Sequence, residues 1–200
     1  TALAFWCYHE SMAKRNKNKL VTFVIALVSA VTAAVAFIGL ACKFITENSV
    51  SVFGYHTTSK WNLSTWFDVI NDMKDFDDIG NWQVARVLLL ITTVLLVVML
   101  ALLVVKFFVK HPVIKWSTFA VGIVAAVCGA LFMVLTLIGC GALADNNVLI
   151  ESYRANVGVY LFAIGSAVSG ISAAIAGMGK QLRKQLQLNL QCVNIKKWAK

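Results

Sequence analysis

Long apolar runs dominate the pattern of hydrophobic and polar positions along this chain. Four of them exceed the length of about 20 apolar residues that a helix needs to cross the hydrocarbon core of a bilayer. None of the four has a charged residue at its centre. The predicted membrane spans are residues 20–45, 84–109, 116–143 and 155–179. The sequence therefore predicts an all-α integral membrane protein, a single membrane domain built as a four-transmembrane-helix bundle.

Lysine and arginine in the connecting segments set the predicted orientation of these spans. They are frequent before the first span, between the second and third, and in the basic tail at 180–200. They are scarce in the two remaining connections, residues 46–83 and 144–154. Because short cytoplasmic segments carry an excess of Lys and Arg, both termini and the tail are predicted to be cytoplasmic. The two other connections are then outer loops, and we expect the plasma membrane as the location.

The first predicted outer loop carries two local patterns. Apolar and polar residues alternate over 49–57, which predicts a short strand. Apolar residues at helical spacing over 65–76 predict a short amphipathic helix, with Ser64 or Thr65 as its N-cap. We expect this helix to lie flat on the outer surface and to cap the outer end of the bundle. Its apolar positions are Trp66, Val69, Ile70 and Met73.

The polar side of this predicted helix is acidic, because aspartates fall opposite the apolar positions. The tryptophans Trp61, Trp66 and Trp82 suit a boundary between membrane and water, where the indole has an apolar body and one donor. We therefore predict that the loop offers a surface to a partner. The candidate interface residues are Trp61, Trp66, Ile70, Asp72 and Asp75.

Composition agrees with a membrane protein, since 60% of the 200 residues are hydrophobic and only 14% are charged. The net charge of +9 does not indicate a nucleic-acid partner, because the basic residues flank apolar runs. None of the five cysteines lies in the first outer loop, and none has the spacing of a zinc site. Leucines at helical spacing in the tail predict a basic amphipathic helix that lies on the inner leaflet or pairs with another chain.

No motif in the chain predicts catalysis, a bound cofactor or a metal. The sequence lacks a nucleophile–base pair, a phosphate-binding loop and a dinucleotide fingerprint. The aspartates at 72–78 offer oxygen ligands to calcium, but their spacing differs from that of an EF-hand loop. Asn62-Leu63-Ser64 matches the acceptor sequence for N-glycosylation, which matters where the host modifies outer loops.

Small residues recur at four-residue spacing in the third and fourth spans. Helices in lipid associate mainly by close packing, so small residues mark helix contacts. We expect the first, third and fourth spans to pack closely together. Much of the second span, which is rich in Val and Leu, should face lipid or another subunit. The predicted packing residues are Gly122, Ala126, Gly129, Ser166, Gly170 and Ala174.

The layout of the whole chain resembles the four-span families of claudins and their relatives, MARVEL proteins and amastins. It is similar to them in its cytoplasmic termini, a larger first outer loop, a short inner turn and a small second outer loop. Claudin first loops carry a tryptophan signature with a disulfide. Here Trp61 and Trp66 stand in a loop without cysteine, so no family site is carried over.

These features predict a non-enzymatic membrane protein that acts as a scaffold or accessory subunit, by lateral assembly or by binding a partner. The predicted partners are membrane lipid and either further copies of the chain or another membrane protein. The alternative is an oligomeric channel-forming subunit. A row of polar residues lining a pore would favour that alternative, and the spans hold only scattered Ser and Thr.

Overall fold

The computed structural model describes the backbone of residues 2–51, 54–73, 79–109, 111–145 and 150–178, and the side chains of residues 20–51, 54–73, 79–109, 111–143 and 152–177. Asp75 and the predicted tail helix at 180–200 lie outside the described residues. In chain order the elements are α1 (Ala2–Ala41), β1 (Ile45–Val50), β2 (His56–Trp61), α2 (Leu63–Asp72), α3 (Gly80–Phe108), α4 (Pro112–Asp145), β3 (Ile150–Ala155) and α5 (Val157–Met178).

Four of these helices are long and apolar enough to cross a membrane, and each contains the centre of one predicted span. They are α1 from Leu20 onward, α3, α4 as far as Leu143, and α5 as far as Gly177. Two ends differ from the prediction. Helix α1 stops at Ala41, so the last residues of the predicted first span lie in the following connection and in β1. Ala155, the predicted start of the fourth span, ends β3 instead.

Helix α5 lies between two neighbours in the bundle. It packs along α1 and along α4, whereas α3 packs mainly on α4. The prediction that the first and third spans pack closely together is therefore wrong, because α1 and α4 share at most isolated contacts among the described residues. The cause is that α5 carries small residues on two faces. Gly158 and Gly165 approach α1, and Gly170 and Gly177 approach α4.

Helix α3 buries one stripe and exposes the rest of its surface. The buried residues recur at helical spacing, and the stripe faces the bundle. The valines outside this stripe are exposed and several of the leucines outside it are half-buried, which agrees with the expectation that much of the second span faces outward. The buried stripe consists of Trp82, Ala85, Leu89, Thr92, Leu96, Met99 and Leu103.

A three-stranded antiparallel sheet joins the two connections that the sequence assigns to one side. The strand order is β2-β1-β3, so β1 lies in the centre and β3 comes from the second connection. The single strand predicted over 49–57 is wrong. β1 ends at Val50, the chain turns through Gly54 at φ 79°, and β2 begins at His56. Glycine suits this turn because a positive φ is strained for residues that carry a Cβ.

Hydrogen bonds connect the sheet to the residues that follow α1 and precede α5. The Phe44 N–H donates to the Trp61 carbonyl at 2.8 Å, and the Asn156 N–H donates to the Phe44 carbonyl at 2.7 Å. The Asn156 side chain adds a bond from Nδ2 to Thr46 Oγ1 at 2.9 Å. The three strands, α2 and the adjoining helix ends are called the sheet end below.

Helix α2 begins earlier than predicted, because its N-cap is Asn62. The Thr65 N–H donates to Asn62 Oδ1 at 2.9 Å, so neither Ser64 nor Thr65 is the cap. Both hydroxyls also donate to this oxygen, Ser64 at 2.9 Å and Thr65 at 2.7 Å. The helix ends at Asp72, and the predicted end at 76 lies outside the described residues.

Candidate interaction surface at the sheet end

The apolar face of α2 is buried in a cluster of aromatic rings. Trp66 is 0% exposed, and its ring centroid lies 5.8 Å from that of Phe44 and 6.3 Å from that of Phe132. Ile70, one helical turn later, is 2% exposed. These contacts join α2 to the residue that precedes β1 and to α4. Helix α2 therefore covers one end of the bundle, with its apolar face inward.

Trp61, Trp82 and Tyr153 form the other part of the cluster. The Tyr153 ring centroid lies 5.5 Å from each of the two indole centroids, and Trp82 Nε1 donates to the Thr136 carbonyl at 3.4 Å. The three tryptophans do not present their indoles at the protein surface, as a position at the boundary of membrane and water would favour, since all of them are buried inside the protein. The physical reason is that rings packed edge to face stabilise one another beyond the area that they bury.

The opposite side of α2 faces outward and carries negative charge. Asp68, Asn71 and Asp72 are exposed. Arg86 of α3 lies over the Phe67 ring, with Cζ 4.8 Å from the centroid, and its Nη1 donates to Asn71 Oδ1 at 2.5 Å. An exposed cation–π contact contributes about 0.5–1 kcal/mol. Since α2 is held both by its buried face and by Arg86, its two carboxylates are displayed on a fixed helix.

The outer face of the sheet carries positive charge. Lys60 and Arg154 lie on either side of Thr46 in the strand register and are exposed. Side chains alternate between the two faces of a strand. Because their neighbours Trp61 and Tyr153 point into the aromatic cluster, Lys60 and Arg154 point away from it. Two strand spacings place the two basic residues roughly 10 Å apart at the backbone.

A row of polar side chains crosses the three strands on this same outer face. Asn48 Nδ2 donates to Ser152 Oγ at 3.1 Å, and Thr58 Oγ1 donates to Asn48 Oδ1 at 3.0 Å. Along its own strand, each of these three residues is two positions away from the row of Lys60, Thr46 and Arg154. The hydrogen bonds link β2, β1 and β3, so the basic row rests on a cross-linked sheet.

The inner face of the sheet holds a carboxyl group beside a phenol. Glu47 of β1 lies opposite Tyr153 of β3 in the register. Partial burial raises the pKa of Glu47 above its ordinary value. Burial raises the pKa of Tyr153 to about 12, and negative charge on Glu47 acts in the same direction. In the folded protein, therefore, both groups keep their protons to a higher pH than they would in the unfolded chain.

The structure brings the predicted packing residues together at the contact of α4 with α5. A Cβ on Gly122 would lie 2.6 Å from the Gly170 carbonyl oxygen, and a Cβ on Gly170 would lie 2.9 Å from the Ala126 nitrogen. The helices approach so closely that glycine is required at both positions. The remaining predicted residues lie in the same contact: Gly129 faces Ser166, and Ala174 lies against Gly122.

A second close contact, between α1 and α5, was only partly visible in the sequence. A Cβ on Gly39 would lie 2.7 Å from the Phe162 nitrogen, and a Cβ on Gly165 would lie 2.8 Å from the Thr32 carbonyl oxygen. The sequence predicted that the first span packs on both the third and the fourth, and of these the structure shows the contact with the fourth.

No group of three His, Cys, Asp or Glu side chains suited to a metal ion occurs within the described ranges. The aspartates at 75, 77 and 78, which belong to the calcium alternative, lie outside them. No protein-family model matches the chain, and no curated protein matches it.

Proposed function

We propose that the chain is an integral protein of the plasma membrane, inserted through α1, α3, α4 and α5. Exposed apolar side chains along these four helices support insertion, because a contiguous apolar surface of this extent is disfavoured in water. The distribution of Lys and Arg supports an outer sheet end and cytoplasmic termini. The same layout supports a relation to the claudin-like four-span families.

The proposed role is that of a non-enzymatic scaffold or accessory subunit that binds a partner at the sheet end. The observation that carries this proposal is the way in which α2 is held. Trp66 and Ile70 anchor one side of the helix in the core, and Asp68 and Asp72 are exposed on the other. A preordered surface loses little conformational freedom on binding. Trp61, Trp66 and Ile70 thus stabilise the partner surface indirectly, because their buried side chains hold α2 in place.

A second copy of the chain is the partner whose charges fit this surface. The sheet end displays Asp68 and Asp72 on α2 and Lys60 and Arg154 on the sheet. The acidic helix of one copy can therefore meet the basic row of another. Complementary charge gives specificity and speeds association more than it raises affinity. Homo-oligomers formed in this way would place two bundles side by side or end to end.

A charge swap tests this partner, with the oligomeric state of the full chain in mild detergent as the measurement. Asp68→Lys with Asp72→Lys should reduce self-association, and so should Lys60→Glu with Arg154→Glu. A mixture of the two double variants should associate again, because each supplies the charge that the other lacks. Association of the wild type should also weaken as salt concentration rises.

Lys115→Glu at the opposite end of the bundle is the matched control and should leave association unchanged. If the wild type associates and both double variants associate equally well, the sheet end is not the contact. A wild type that stays monomeric but retains another membrane protein, lost in the Asp68→Lys, Asp72→Lys variant, would identify the partner as a different chain.

Impermeant thiol labelling of intact cells tests the insertion, in a background without native cysteines. Ser59→Cys in β2 should react with the reagent added outside. His111→Cys, between α3 and α4, should react only after the membrane is permeabilised. Both positions are exposed in the structure, so a difference between them reports the membrane and not burial. The reverse pattern would contradict the proposed orientation.

A further inference from the structure

We propose that Asn62, at the start of α2, is an N-glycan acceptor. The glycan would be joined to the Nδ2 atom, on the surface of the sheet end. This inference goes beyond the proposed partner binding. It rests on the proposed orientation, because N-glycans are added on the non-cytoplasmic side of a membrane.

The sequence offers a single acceptor. Asn62-Leu63-Ser64 is the only Asn-x-Ser/Thr triplet in the 200 residues, and its middle residue is not proline, as the acceptor sequence requires. Any N-glycan on these 200 residues must therefore be attached at Asn62. The triplet alone is a weak signal, and the arrangement of its side chains in the folded protein supplies the second observation.

The hydrogen bonds of Asn62 determine which way its amide points. The Thr65 backbone N–H can only donate, so the side-chain atom 2.9 Å from it must be the oxygen Oδ1. The hydroxyls of Ser64 and Thr65 donate to the same oxygen. The amide nitrogen Nδ2 is then the other atom, turned away from these three donors, and Asn62 is an exposed residue.

Modification at this atom keeps the helix cap. In the transfer, Nδ2 forms a bond to the anomeric carbon of an oligosaccharide carried on a lipid diphosphate. The bond from that carbon to the diphosphate oxygen breaks, the lipid diphosphate leaves with the bonding electron pair, and one proton of Nδ2 passes to solvent. The product is still an amide whose Oδ1 accepts from the first turn of α2. In this arrangement Oδ1 of Asn62 caps α2, and Nδ2 of the same side chain carries the glycan.

The test is expression of the full chain in cultured eukaryotic cells, followed by gel mobility before and after digestion with a peptide N-glycosidase. The wild type and Ser64→Thr should each lose one glycan on digestion. Ser64→Ala should run at the digested position without treatment, because the acceptor sequence is gone. Asn62→Asp should do the same while keeping a good N-cap, so its thermal stability should match that of unglycosylated wild type.

Thr57→Asn in the Ser64→Ala background is the positive control. It creates a new acceptor sequence with Thr58 and Ser59 on the exposed strand β2. A shift in this control without a shift in the wild type would overturn the proposal for Asn62. The absence of a shift in both would overturn it together with the orientation of the sheet end. The partner surface is measured separately by the charge swap, so neither result bears on self-association.

Discussion

Ser29 of α1 and Ser169 of α5 bind each other twice across the contact between their helices. Ser29 Oγ donates to the Ser169 carbonyl at 2.9 Å, and Ser169 Oγ donates to the Ser29 carbonyl at 2.7 Å. Both residues are fully buried and stand 140 positions apart. Each hydroxyl thus reaches the backbone of the opposite helix, which requires the close approach that the glycines of α5 allow.

Removal of either hydroxyl should weaken the contact of α1 with α5. Bonds of this kind between membrane helices contribute about 0.6 kcal/mol on average and at most about 1.7 kcal/mol. Ser29→Ala and Ser169→Ala should each lower the free energy of unfolding in detergent by an amount in this range. The double variant should lose less than the sum, because the two serines form one unit. The Thr93 hydroxyl donates within α3, so Thr93→Ala is the control. Its effect on the free energy of unfolding should add to that of either serine variant.

A large side chain at Gly170 should force α4 and α5 apart. The Gly170→Leu side chain would meet the Ala126 backbone, so we expect a marked loss of thermal stability or of folded protein. Val97→Phe on the outer face of α3 is the control, since Val97 is 55% exposed, and it should be tolerated. The adjacent residue, Leu96, is unsuitable as a control position because its side chain is buried. Equal losses in the two variants would contradict the assigned helix contacts.

Truncation of the anchors of α2 should detach it from the bundle. Replacing a buried Trp or Ile by Ala costs about 2–5 kcal/mol, so Trp66→Ala with Ile70→Ala should lower stability strongly and reduce self-association. Asp68→Asn with Asp72→Asn should reduce self-association without loss of stability, because both carboxylates are exposed. An aspartate variant that unfolds would show that these side chains belong to the fold.

Tyr153 should make the protein sensitive to alkali. The folded state holds the phenol proton up to about pH 12, whereas the ordinary pKa is 10.0. Since the unfolded chain loses this proton first, the free energy of unfolding should fall as pH rises between those values. Tyr153→Phe should remove that part of the pH dependence. Tyr55→Phe, at an exposed position, is the control and should retain it.

Glu47 should make the protein more stable in mild acid. Its pKa is raised in the folded state by burial, above the ordinary value of 4.5. The folded state therefore binds a proton before the unfolded chain does, and the free energy of unfolding should rise as pH falls toward that value. Glu47→Gln should stabilise the protein at neutral pH and abolish this gain. Unfolding measured in detergent from neutral pH downward would detect both effects.

The sequence by itself determined the four long helices, because the length and apolarity of a run are local properties that need no partner. The spacing of Trp66 and Ile70 likewise indicated α2 and its apolar face. The four-residue spacing around Gly122 and Gly170 indicated a helix contact, since only small side chains allow backbones to approach so closely. These inferences depend on residues within a few turns of each other.

Only the tertiary structure decided the sheet, the neighbours of α5 and the burial of the tryptophans. β3 joins β1 by hydrogen bonds between backbone groups about a hundred residues apart, and their side chains carry no apolar alternation to mark the pairing. Nothing in the sequence pairs Ser29 with Ser169, because their hydrogen bonds depend on the contact of α1 with α5. The acidic helix and the basic strand row can form the proposed partner surface only because folding brings both to the same end of the bundle.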